Sequence, residues 1–190
     1  MSTTIRVAKL RCEYLINPLG IDEKKPRLSW IVESNRRGTY QSAWHVRVAS
    51  CTELLASGKA DLWDSGRTED DRSIHIVYEG VPLTSRQTCY WQVQIWDDRG
   101  ISAVSDAAVW TMGLLEEGDW KADWIAAGPD YLNSAGYAIK PTLTEPGTPP
   151  WFRKVFAVRN SIRKATLYAS ARGLAELYLN GRRIGNDIFV

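Results

Sequence analysis

Among the side chains here with the types and spacing that could do chemistry are three pairs of adjacent acids, two histidines and three serines. The acid pairs are Asp70–Asp71, Asp97–Asp98 and Glu116–Glu117. Paired carboxylates can share acid and base roles, but neighbours on an extended strand point to opposite faces. Each pair also sits among turn-forming residues, so all three read as solvated turns. His45 and His75 fall in strand-like runs with no Cys, Asp or Glu at metal-ligand spacing, and read as packing or surface residues. Ser29, Ser65 and Ser105 lack the GxSxG setting of a nucleophile elbow. Glycine-rich phosphate loops are absent as well. These residues predict no complete active site within the chain.

The elements that position them read as strands. Arg27–Val32 alternates Leu28, Trp30 and Val32 on one face, and Ala43–Ala49 alternates Trp44, Val46 and Val48. Ser73–Tyr78 is a third β-rich run. Cys89–Trp96 sets Trp91, Val93 and Ile95 against Gln92 and Gln94, the strict period of two that one buried face requires. It ends at Asp97-Asp98-Arg99-Gly100, and Ala107–Met112 supplies a last strand. A single helical turn is expected at Thr52–Ser57. This pattern predicts an all-β fold with a fibronectin-III-like sandwich over residues 1–116.

Residues 117–150 read as a linker and irregular loop. A linker is expected over Gly113–Trp120, followed by a short strand at Trp124-Ile125. Gly128, Pro129, Gly136, Pro141, Pro146, Gly147, Pro149 and Pro150 then interrupt any regular element. The β pattern resumes in residues 151–190, with strands expected at Phe152–Val158, Ala165–Ala171 and Leu174–Leu179. Asn180-Gly181 has the chemistry of a type I′ hairpin turn, where both central residues need positive φ. So few strands leave apolar faces uncovered. The expectation is therefore a truncated jelly-roll-type sandwich in a polypeptide that continues past Ile188-Phe189-Val190.

Composition narrows the function classes. A net charge of +2 over 190 residues is too small for the basic stripe of a nucleic-acid binder. No stretch reaches the about 20 consecutive apolar residues of a membrane span. The N-terminus MSTTIRVAKLRCEY has no apolar run after a basic start, which predicts no secretory leader. Three widely spaced cysteines, Cys12, Cys51 and Cys89, suit neither a disulfide framework nor a zinc site. A cytoplasmic setting with reduced thiols is expected. Nine Trp against three Phe is the compositional oddity, and most of these Trp lie in alternating runs that point to the core.

Two stretches carry a family likeness. The first joins Leu10-Arg11-Cys12-Glu13-Tyr14, Asn17-Pro18-Leu19-Gly20-Ile21-Asp22, Pro26-Arg27-Leu28-Ser29-Trp30, Gln41-Ser42-Ala43-Trp44 and Leu62-Trp63-Asp64-Ser65-Gly66. Tyr90-Trp91, Trp96-Asp97 and Gly113-Leu114-Leu115 continue it. This series resembles the N-terminal fibronectin-III-like module of bacterial α-L-rhamnosidases. The second stretch, Phe152-Arg153-Lys154-Val155-Phe156 with Glu176-Leu177-Tyr178-Leu179-Asn180-Gly181, resembles the start of the jelly-roll domain that follows in the same enzymes.

The resemblance implies a multidomain inverting glycoside hydrolase that removes terminal α-L-rhamnose from rhamnose-containing glycosides. Inverting hydrolysis needs an acid and a base carboxylate about 6.5–9.5 Å apart, and the resemblance puts that pair on a later α/α-barrel domain. This chain is then a scaffold or accessory region that packs on that catalytic domain, with no catalytic residue and no cofactor of its own. Some relatives' jelly rolls resemble carbohydrate-binding modules that hold rhamnose with a calcium ion, which takes carboxylate and amide oxygens. On that resemblance Glu176 and Asn180 are the candidate sugar or calcium ligands, and Trp151 is a candidate sugar-stacking surface. The plainer reading makes Asn180 a turn residue and Glu176 half of a surface pair. A free-standing carbohydrate-binding protein and a protein-interaction sandwich remain the alternatives.

Overall fold

The computed structural model describes residues 4–126, 150–158 and 161–185. They divide into two units, Met1–Trp124 and Ile125–Val190. In the first unit the strands are β1 (Ile5–Cys12), β2 (Arg27–Ser34), β3 (Gln41–Ala49), β4 (Trp63–Asp64), β5 (Ile76–Val77), β6 (Thr88–Asp97), β7 (Ser102–Val104) and β8 (Ala108–Thr111). A one-turn helix α1 (Thr52–Ala56) follows β3. One sheet has the order β1-β2-β5 and the other β4-β3-β6-β7, with β8 also paired to β6. Every strand pairing is antiparallel.

The apolar faces anticipated for β2, β3 and β6 meet in the core. Leu28, Val46, Val48, Val93 and Ile95 are fully buried there, together with Trp30, Trp91 and Trp110. Edge-on aromatic contacts run from Trp63 to Tyr78, from Tyr78 to Trp110 and from Trp110 to Trp91, with ring centroids 5.5–6.4 Å apart. Such pairs add to the burial of their large surfaces. Five of the nine tryptophans are buried in this unit, so Trp takes the core role that Phe fills elsewhere.

Strand β1 has no counterpart among the expected strands, and a bulge is the reason. Lys9 adopts φ 52°, and the pairing with β2 shifts between Ala8 and Arg11. Ile5 and Val7 face the core before the bulge, and Leu10 and Cys12 after it. The bulge slips the alternation by one residue, so a single period of two does not run through the strand. A similar interruption separates β7 from β8. Ser105 lies between them, its N–H donating to the Val93 carbonyl (2.9 Å) while its hydroxyl accepts from the Val93 N–H (3.1 Å).

Three expectations change along this part of the chain. The segment Gly113–Trp120 is not a free linker. Leu115 packs against the core, its N–H donates to Ser85 Oγ (2.8 Å), and residues Glu117–Asp119 form a 3-10 turn closed by Asp119 and Glu116. Trp124-Ile125 forms no strand, and both side chains are exposed. The span Ser73–Tyr78 narrows to β5, which meets β2 only at Arg27↔Val77 and Leu28↔Ile76.

In the second unit the described strands are β9 (Tyr178–Leu179) and β10 (Arg182–Arg183), an antiparallel hairpin. Asn180 (φ 49°) and Gly181 (φ 77°) form its two-residue turn as expected. Phe152–Val158 and Ala165–Ala171 are extended in sequence pattern but carry no ladder. A strand is defined by pairing, which alternation alone does not provide. Phe152, Val155, Phe156, Leu167 and Leu174 are exposed. Residues 128–149 of the loop expected over 128–150, and the run Ile188-Phe189-Val190, lie outside the described residues.

Candidate functional site

The hairpin of the second unit brings Trp151 and Glu176 into one cluster. Glu176 and Tyr178 are two apart along the extended arm, which puts them on one face. The Tyr178 hydroxyl donates to Glu176 Oε2 at 2.8 Å, and that bond raises the Tyr178 pKa. Arg183 on the returning arm lies 3.6 Å from Glu176 Oε1. Trp151 stacks on the Tyr178 ring, with centroids 6.4 Å apart and planes 27° from parallel. Trp151 is 87% exposed, leaving most of its indole available to a ligand.

Tyr178 was not among the residues singled out from sequence. Its one signal was the i, i+2 spacing from Glu176, which any strand residue shares. Asn180 belongs to the turn by its backbone conformation. Glu176 is the only carboxylate among the described residues from Pro150 onward, and its two oxygens face Tyr178 and Arg183. Calcium takes 6–8 oxygen ligands, and no group of three or more His, Cys, Asp or Glu in holding geometry occurs among the described residues.

The acid pairs of the first unit separate into different roles. Asp97 is buried, not solvated, and its Oδ1 accepts from the N–H groups of Arg99 (2.9 Å) and Ile101 (2.8 Å), closing the β6–β7 turn. Its neighbour Asp98 pairs with Arg36, whose guanidinium also lies 3.8 Å from Asp97 Oδ2. Asp70 grips Arg72 at 2.6 Å, and that hydrogen bond lowers its pKa. Glu116 pairs with Lys24 at 2.9 Å.

Other ionisable groups are committed to local structure as well. The Arg27 side chain bonds Glu13 and holds its carboxyl below the usual range. The Ser85 hydroxyl does the same for Asp119. At Asp64 burial pushes the pKa up, but bonds from the Gly66 N–H and His45 outweigh it and the net shift is downward. His45 Nε2 lies 2.5 Å from Asp64 Oδ1, and His75 Nε2 lies 2.7 Å from the Tyr14 hydroxyl. The Ser65 hydroxyl accepts from the Val46 N–H at 2.9 Å. Both histidines and two of the three serines thus serve turns and strand ends.

A three-stranded sheet β1-β2-β5 facing a sheet β4-β3-β6-β7/β8 defines an immunoglobulin-like β-sandwich. Residues 7–116 match the family described as Rha78A-like, N-terminal immunoglobulin domain. The chain belongs to that family.

Its relatives include an alpha-L-rhamnosidase of Alteromonas sp. (strain LOR), 38% identical over 92% of this chain and 19% of the relative. An alpha-L-rhamnosidase of Streptomyces avermitilis is 34% identical over 96% of this chain and 18% of its own length. Among solved structures, the Streptomyces avermitilis alpha-L-rhamnosidase complexed with L-rhamnose superposes with a TM-score of 0.63 at 39% identity, covering 67% of this chain and 12% of that one. The alpha-L-rhamnosidase from Dictyoglumus thermophilum gives 0.63 at 32% identity, over 65% and 14%. The chain spans about a fifth of the length of the curated relatives it matches.

Proposed function

We propose that this chain serves as the non-catalytic N-terminal region of an α-L-rhamnosidase, an inverting glycoside hydrolase acting on rhamnose-containing glycosides. The observation that carries the reading is the match to alpha-L-rhamnosidases over at least nine-tenths of this chain and only about a fifth of theirs. The acid and base of the reaction belong, on this proposal, to a helical domain elsewhere in a longer polypeptide, for which the sandwich is a scaffold. Cys12, Cys51 and Cys89 as free thiols suit the cytoplasmic setting proposed with it.

Purified 190-residue chain should not release rhamnose from an aryl α-L-rhamnoside, while the longer product of the same gene should. Turnover by the chain alone, or an inactive longer product, overturns the reading.

The exposed Trp151 ring favours a second, accessory role in sugar binding, with Glu176 beside it. Any calcium in a complete second domain would need ligands beyond the described residues. Calorimetric titration with L-rhamnose, with and without calcium, tests this role. It predicts binding that is lost in Trp151→Ala, and no heat up to millimolar sugar removes it.

A further inference from the structure

The turn of the β9–β10 hairpin sets an asparagine side chain beside an unobstructed backbone nitrogen. The register pairs Leu179 with Arg182 and Tyr178 with Arg183, which leaves Asn180 and Gly181 outside the ladder. Both residues are exposed. A Cβ at Gly181 would meet nothing within 4 Å, and glycine itself puts none in the way. The Gly181 nitrogen is therefore open to approach.

The other two asparagines among the described residues are locked twice over. Asn17 Oδ1 accepts from the Val109 N–H at 3.0 Å, and Pro18 after it has no N–H. Asn35 Oδ1 accepts from the Thr4 N–H at 2.9 Å, and the Arg36 N–H after it is taken up by Ser34 Oγ at 3.1 Å. Neither lock exists at Asn180.

We propose that Asn180 is a spontaneous modification site, converted by its own backbone to aspartate and isoaspartate. The Gly181 nitrogen attacks Asn180 Cγ and the Cγ–Nδ2 bond breaks. The side-chain nitrogen leaves as ammonia, carrying the proton of the Gly181 N–H, and a five-membered succinimide remains. Water then adds across one of the two bonds from the Gly181 nitrogen. Breaking its bond to Cγ gives aspartate, and breaking its bond to the backbone carbonyl carbon gives isoaspartate. Nothing is oxidised or reduced, and water is the one co-reactant. Attack requires the nitrogen to shed its proton, and the cations Arg182 and Arg183 that follow favour the charge that develops. It also requires Asn180 to leave φ 49°. A hairpin of two pairs opens at little cost.

Isoaspartate lengthens the main chain by one carbon inside a two-residue turn whose length sets the register. The Tyr178 hydroxyl and Arg183 now meet Glu176 from the two arms, at 2.8 and 3.6 Å. A shifted register parts them, so the Trp151–Tyr178–Glu176 cluster comes apart as the protein ages. None of this depends on the α-L-rhamnosidase reading.

The 190-residue chain is held at mildly alkaline pH and digested with trypsin at intervals. The peptide 173–182 contains Asn180 and no other asparagine. It should gain the mass difference between NH and O and split into two chromatographic forms, while the Asn180→Gln peptide stays unchanged. Conversion should be at least about tenfold faster than at Asn17 or Asn35, and unfolding in urea should speed it by less than about tenfold. In the aged protein the Ile184 N–H, which donates to the Leu177 carbonyl at 2.8 Å, should exchange with deuterium faster, with β3 and β6 unaltered. Equal rates at the three asparagines, or a larger acceleration in urea, would show that the folded turn protects Asn180 and would overturn the proposal. Conversion that leaves Ile184 exchange unchanged would overturn the loss of register.

Discussion

The Trp30 indole Nε1–H donates to Gln41 Oε1 at 2.8 Å, a buried bond that ties β2 in one sheet to β3 in the other. The amide of Gln41 is used at both ends. Its Nε2 donates to the carbonyls of Arg72 (2.8 Å) and Asp70 (3.3 Å), fastening the long connection between β4 and β5.

Replacing Gln41 with Leu keeps the volume and strands these partners without water. A buried group left unsatisfied costs about 1–3 kcal/mol, so Gln41→Leu should destabilise the first unit by about that much. Urea unfolding followed by tryptophan fluorescence measures it. A midpoint equal to that of the parent would mean the indole and carbonyls find other partners.

Gly80 is fixed by lack of room, not by its backbone angles. A Cβ there would fall 2.1 Å from the Leu62 carbonyl oxygen and 2.5 Å from the Tyr78 hydroxyl. That hydroxyl donates to the Leu62 (3.0 Å) and Val81 (2.8 Å) carbonyls. Gly80→Ala should displace the tyrosine and cost about 1–3 kcal/mol or more, as overpacking does. Near-UV circular dichroism should report the displaced ring. An unchanged spectrum and melting point would contradict this packing.

Acid should weaken the β1–β2 turn first through Glu13. Its pKa is lowered by Arg27, so the unfolded chain takes up a proton at higher pH than the folded one. The stabilisation is complete above the unfolded value of about 4.3 and is lost as pH falls through the lower folded value. Glu13→Gln should flatten the fall of melting temperature as pH drops below the unfolded value. The effect is modest because Arg27 is well exposed to solvent. A parallel fall in both proteins would remove Glu13 from the acid response.

The buried thiols should be inert in the folded protein. Burial raises the pKa of both Cys12 and Cys89 to about 12, and thiol reagents attack the thiolate. At pH 8 a thiol-disulfide reagent should modify one cysteine quickly, the half-buried Cys51, and all three after denaturation. The same shift makes stability fall as pH climbs past the unfolded thiol value of about 8.5 toward 12. Fast modification of Cys12 or Cys89 in the native protein would refute their burial.

The sandwich was legible where one face of a strand is buried without interruption. Leu28 with Trp30, Trp44 with Val46 and Val48, and Trp91 with Val93 and Ile95 each repeat every second residue, because successive side chains of a strand face opposite ways. Asn180-Gly181 was legible for a similar local reason, since few residue pairs accept two positive φ angles. The resemblance to α-L-rhamnosidases could also be stated from motif order alone.

Tertiary structure decided what depends on partners distant in the chain. The Lys9 bulge makes sense only against β2, and Asp97 became a buried turn acceptor because Arg99 and Ile101 fold back onto it. Leu115 and Asp119 left the linker class by docking on Ser85. At the candidate site, Glu176 and Trp151 meet only through Tyr178, whose ring and hydroxyl reach one each. Local sequence carries the period of a strand and the angles of a turn. Which carboxylate is buried and which aromatic stacks on which are set by contacts across many residues.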